Sequence, residues 1–238
     1  GFLYLTGTPF RALNNGEFLE DQIFTWSYPD EQRAKENWNS KLENPYKALP
    51  KMVMLTYDLP DEIKQVATEG DLDEFSLNEF FKANEEDGHY EFVHKSDVQK
   101  WLDYIRGNYI FQNISASSNV KLPPLPYKDT DLLGHMNHSI WFLPSIASCY
   151  AMERLLSENQ NLYFVNNFSV INVSKKGIGS GLKALPPVKS EIGNGFDKKT
   201  ITLSCEKLTT GVTVPEWCSV FMLKNLNSPE SYFQSVFR

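Results

Sequence analysis

Cysteine is scarce in this chain of 238 residues: Cys149, Cys205 and Cys218 are the only three, an odd number at unrelated spacings. That is no disulfide framework, and no Cys-x-x-Cys pair points to zinc. The thiols are expected to be buried and free in a reducing compartment, so a cytoplasmic location is expected. No run of about 18 apolar residues occurs, so no membrane span is expected. The first residues lack the basic stretch and long apolar run of a secretory signal. No internal repeat is present. No Gly-Lys-Ser/Thr occurs either, so the phosphate-binding loop of many nucleotide hydrolases is missing.

What is present suits one large globular domain or two small ones: 41% of residues are hydrophobic and 13% aromatic. The net charge of −7 is unevenly spread. Residues 58–97 hold 13 acids and 3 bases, leaving 17 acids against 20 bases elsewhere. The overall acidity gives no support to a nucleic-acid partner, yet the remainder has room for a local basic groove.

Three zones follow one another. The first opens with "FLYL" running into Thr6-Gly7-Thr8-Pro9, a strand ending in a tight loop, and reaches a second strand candidate, "KMVMLTYDL". The second is acidic and reads as helical. "SLNE" at 76–79 and "SDVQ" at 96–99 are capping boxes, and Val98, Trp101, Leu102 and Ile105 share a helical stripe that Gly107 ends. Its aromatics are expected in a core and its charges on a solvated face. "KLPPLPYKD" reads as a linker. In the third zone "SIWFLPS", "NLYFVNNFSVINV", "TITLSCE" and "WCSVFML" are strand candidates. "ASCYAMERLLSE" and "NSPESYFQSVFR" read as helices. Such alternation predicts a parallel α/β sheet, and the near-continuous apolar run of "WCSVFML" predicts burial on both faces.

Ser228-Pro229-Glu230 is a helix start, with Tyr232, Phe233, Val236 and Phe237 as the apolar stripe that follows. Gln234 and Arg238 are four apart and lie side by side. Held on a rigid helix they could meet a phosphate, since guanidinium matches phosphate geometry; a solvated helix flank is the plain alternative. In the loop "KLTTGVTVPEW", Gly211 stands where a chain often needs a positive φ. Three tempting patterns carry less. "GIGSG" lacks a following Lys-Ser/Thr and reads as a surface loop. "HMNH" has metal-like spacing without a further ligand nearby. "PDEIK" has its acids too close together for the PD-(D/E)xK nuclease pattern.

Read in order, four pieces resemble the later motifs of a superfamily 2 helicase or DNA translocase. "LTGTP" resembles motif III, "SIWFLPSIASCYAMERLL" motif IV and its helix, "ITLSCEKLTTGVTVPEW" motif V, and "SPESYFQSVFR" motif VI. The flavour is that of the type I and type III restriction subunits.

This resemblance implies an α/β fold in three parts. They are the end of a first RecA-like lobe over 1–59, a mainly helical acidic insertion over 60–120, and a truncated second RecA-like lobe over 121–238. The chain would then be a fragment of a larger enzyme, lacking the Walker A and B elements and inactive alone as an ATPase. The resemblance also implies roles. Arg238 is the arginine finger and Gln234 the motif VI Gln beside it. Gly211 and Thr213 face the nucleotide, with Thr213 where the family has Asp and Phe237 where it has Gly. Thr210 and Ser145 touch the nucleic-acid backbone. Thr6 and Thr8 couple ATP state to DNA grip. ATP and Mg2+ would be cofactors of the full-length protein, with none bound to this fragment. Partners would be DNA, single- or double-stranded, and methyltransferase or specificity subunits. The other reading is a non-catalytic α/β interaction module whose acidic segment docks a partner.

Overall fold

The computed structural model describes the chain apart from residues 1–2, 8–12, 14, 17, 58, 60–63, 70–73, 109–123, 210 and 237–238. Thr8, Thr210, Phe237 and Arg238 lie outside the described residues. Two compact units are formed, Gly1–Tyr57 and Asp58–Arg238.

The first unit is organised by helix α1, Tyr28–Glu36, with Ser27 as its N-cap. The Ser27 N–H donates to the Asp30 carboxylate at 2.9 Å, and its hydroxyl donates to the same group. No residue of α1 is buried, so polar contacts hold it from the side. Lys35 Nζ donates to the Leu49 carbonyl at 2.6 Å, and the Met52 N–H donates to Tyr28 Oη at 2.5 Å. The strands expected around Leu3–Leu5 and through residues 51–57 do not form among the described residues. Leu3, Leu5 and Val53 stay 84%, 86% and 71% exposed, so the apolar burial that would offset the ordering of a strand is missing.

The second unit begins with a short ribbon of β1, Thr68–Glu69, and β2, Glu74–Phe75, followed by α2, Leu77–Phe80, capped by Ser76. A hairpin of β3, Ala83–Glu86, and β4, His89–Phe92, turns through Asp87 and Gly88, both at positive φ, as a two-residue hairpin turn requires. Among its described residues the acidic segment is therefore mixed, with two hairpin-like strand pairs beside its helices, where a mainly helical segment was expected. Helix α3, Lys95–Ile105, buries the expected Val98, Trp101, Leu102 and Ile105. It starts ahead of the second capping box, so the Ser96 hydroxyl bonds Asp97 and not the helix end. Gly107, at φ 70°, ends it: its N–H donates to Tyr104 and that of Asn108 to Asp103, a Schellman closure.

After α4, Thr130–Gly134, comes β5, His138–Phe142, then α5, Ile146–Ser157. Next are α6, Leu162–Asn167, β6, Ser169–Asn172, α7, Leu185–Ile192, and β7, Thr200–Ser204. The last elements are β8, Ser219–Met222, and α8, Pro229–Val236. The four long-range strands form one parallel sheet in the order β6-β7-β5-β8. Strands β5 and β7 are buried at every residue; β8, expected to be buried on both faces, is half-buried because it is an edge strand.

The sheet is covered on both sides. Ile140, Phe142, Ile171 and Val173 face α7 and the loop carrying Val212, Val214 and Trp217. On the other side Trp141, Leu143, Ile201 and Leu203 share a core with α5, α3 and the residues Phe80, Phe81 and Phe92. Tyr127 also belongs to this core, stacked on Phe221 at 5.9 Å, so residues 124–129 are packed structure where a linker was expected. The run "NLYFVNNFSVINV" divides: its first half is α6, which sets Phe164 against Tyr127 and Trp141, and only its second half is strand. A short apolar run fits either period, and the packing decided.

Candidate functional site at the carboxyl edge of the sheet

All four parallel strands end at one edge, where open α/β sheets carry their ligand-binding loops. Helix α8 reaches this edge from the loop after β8. Ser228 caps it, its Oγ accepting from the Ser231 N–H at 3.2 Å. The one buried residue of α8 is Ser235, and the expected stripe of Tyr232, Phe233 and Val236 is half-buried.

A cleft of about 180 Å3 lies between α8 and the strand ends. Phe142 ends β5, Cys205, Glu206 and Thr209 follow β7, Lys224 follows β8, and Gln234 and Ser235 come from α8. Lys224 Nζ donates to the Cys205 carbonyl at 2.8 Å, linking the loops after β7 and β8. Beyond Lys224 and Leu226 a second groove of about 420 Å3 runs past Leu77, Asn225, Tyr232 and Phe233.

The loop after β7 is fixed from several sides. The Ser204 hydroxyl bonds the Lys207 carbonyl, and Lys207 Nζ donates to the Ile178 carbonyl at 2.5 Å, pinning "GIGSG" as a surface loop. Val212 and Val214 are buried, so Thr213 between them and Gly211 before them face solvent. Gly211 has φ 66°, the backbone state its position suggested.

Gln234 thus lines the same cleft as Cys205, Glu206 and Thr209 of the loop after β7, whereas Gly211 and Thr213, farther along that loop, are not among the residues that line it. Ser145 is the N-cap of α5, its Oγ accepting from the Ser148 N–H at 3.0 Å, and Ser148 in turn donates to the Phe81 carbonyl at 2.6 Å. Thr6 is exposed and lies in the other unit. His138 is a satisfied core residue: Nε2 donates to the Gly195 carbonyl at 3.1 Å, which leaves Nδ1 to accept from Thr200 Oγ1 at 3.0 Å.

Three residues at this edge were given no role from the sequence: Ser174, Cys205 and Lys224. Each stands one or two positions past the end of a parallel strand, and that offset is the signal that could have found them.

No family model matches the chain, and no solved structure matches it. It is similar to a curated protein of Mycoplasma pneumoniae named "Putative type II restriction enzyme and methyltransferase RM.MpnORF110P C-terminus". The two are 34% identical over 253 aligned positions, which cover 98% of this chain and 33% of that protein. The chain therefore spans about a third of the relative's length.

Proposed function

We propose that this chain is part of a DNA restriction–modification enzyme and forms one wall of its nucleotide-coupled site. The observation that carries this is the meeting of Gln234 with the loop after β7 at the carboxyl edge of a parallel sheet. Those two pieces are the ones that resemble motifs VI and V. The similarity to the mycoplasma protein supports a restriction–modification context and DNA as the substrate.

The cleft, at about 180 Å3, is smaller than the roughly 300–1,000 Å3 of a complete small-molecule site. It suits a half-site that a facing surface completes. Lys224 and Gln234 supply N–H donors at its wall, and the resemblance to motif VI gives Arg238, four positions after Gln234 in sequence, the role of arginine finger. ATP with Mg2+ would supply the free energy of phosphoryl transfer.

The test uses the full-length polypeptide that carries this chain. Arg238→Lys should leave DNA binding nearly unchanged and lower DNA-stimulated ATP turnover at least ~100-fold, within the range of an arginine finger. A point charge lacks the planar fork of guanidinium. Turnover within a few-fold of wild type, with DNA affinity collapsed, would make Arg238 a backbone contact and remove the motif VI reading.

The second reading, a non-catalytic interaction module, draws on the apolar side chains Leu3, Leu5 and Phe24, which are 84%, 86% and 86% exposed. It gains if the full-length protein turns over no ATP with or without DNA.

A further inference from the structure

Behind the cleft, three loops converge on a pair of thiols. Cys205 directly follows β7 and lines the cleft while being only 6% exposed. Cys149 sits in the second turn of α5 and is fully buried. Ser174, after β6, lies between them, its Oγ 3.3 Å from the Cys149 sulfur and 3.7 Å from that of Cys205. The Ser174 hydroxyl is thus a hydrogen-bonding partner common to both sulfurs. The Lys224 ammonium is held beside them on the Cys205 carbonyl.

We propose that Cys205 is a site of reversible oxidation by hydroperoxides, with Cys149 as its resolving thiol. The arrangement has the parts such a pair needs: a cysteine lining the cleft, a second buried cysteine nearby, and a hydroxyl that donates to the sulfur that reacts. The Cys149 S–H and the Ser174 hydroxyl both hold the Cys205 thiol below its ordinary pKa, while sharing that bond pushes Cys149 up.

In the first step the Cys205 thiolate attacks the peroxide: an S–O bond forms, the O–O bond breaks, and the alcohol or water leaves with a proton. Cys149 sulfur then attacks the sulfenic acid. The S–S bond forms, the S–O bond breaks, and hydroxide leaves as water with the Cys149 proton. Two thiols and one hydroperoxide thus give a disulfide, an alcohol and water; a dithiol returns both thiols. The product ties the loop after β7 to α5 in the wall of the cleft.

The experiment treats the folded protein with hydrogen peroxide, alkylates the remaining thiols and maps the peptides by mass spectrometry. The expected result is a Cys149–Cys205 cross-link that dithiothreitol removes. In Cys149→Ser, the cross-link should be replaced by a sulfenic acid at Cys205 that dimedone traps. Cys218, which is exposed, is the internal control for access alone. Oxidation of Cys218 while Cys205 stays free to alkylate would overturn the proposal, as would a cross-link that appears only in urea. Should Cys149→Ser fail to fold, wild-type alkylation rates decide: Cys205 should react at least ~10-fold faster than Cys149, and equal rates defeat the assignment.

Discussion

Asn78 and Asn225 hold each other through a reciprocal pair of hydrogen bonds across 147 residues of sequence. The Asn78 N–H donates to Asn225 Oδ1 at 3.2 Å and the Asn225 N–H to Asn78 Oδ1 at 3.0 Å. The pair joins the start of α2 to the loop that leads into α8. Asn78→Ala and Asn225→Ala should each cost about 0.5–1.5 kcal/mol by urea denaturation. Each change removes one Oδ1 acceptor and leaves the other bond in place, so the double variant should cost more than either single one. Single variants as stable as the wild type would show that the pair does not form in solution.

Trp141 is fully buried and touches Phe221, Trp101, Tyr127 and Phe164 at ring distances of 5.1–6.3 Å. Trp141→Ala leaves a large cavity and should cost about 3–5 kcal/mol, whereas Phe keeps part of the packing and should cost less. Equal losses in a denaturant titration would show that the cluster collapses around the smaller side chain.

Gly107 closes α3 at φ 70°, and a Cβ there would also meet the side chain of Lys128. The lysine tail can swing aside, so the backbone decides the cost. Gly107→Ala should lower stability by about 1–2 kcal/mol, and Asn, which tolerates this backbone region better, should lose less. A neutral alanine variant would mean that the helix ends differently.

The Ser27 hydroxyl and N–H, followed by the Arg33 guanidinium, hold the Asp30 carboxyl down at about 2 against an ordinary 3.8. A depressed folded-state value stabilises the cap fully above the ordinary pKa, and that contribution fades as pH falls from about 4 towards 2. Carboxyl NMR should show Asp30 titrating near the bottom of that window, with α1 fraying as it protonates. Titration at the ordinary value would remove the capping box.

The chain alone should hydrolyse no ATP, since its sequence contains no Gly-Lys-Ser/Thr to position the phosphates. Steady turnover by highly purified protein, abolished in Arg238→Ala, would contradict this.

What the sequence disclosed depended on whether the burial sat in one short segment. The stripe of α3, its Gly107 stop, and the strands β5 and β7 were legible because each writes its own period. The Ser228 cap was legible for the same reason. Leu3–Leu5 form no strand, since a run of apolar residues says nothing of whether another segment will pair with it. Tyr127 was hidden in a Pro-rich stretch whose composition suggests a linker, and only its neighbours Trp141, Phe164 and Phe221 show that it is core. The thiol pair was invisible for a related reason: Cys149 and Cys205 are 56 positions apart, and only the sheet brings them to Ser174.

The side chains Phe80, Phe81, Phe92 and Trp101 complete the same core as Trp141 and Met152. The acidic stretch that supplies them is therefore no cassette. A recombination event that swapped it for a foreign segment would remove part of the core on one side of the sheet, so the stretch and the sheet should be inherited together. Their aromatic partners should change in step along a lineage.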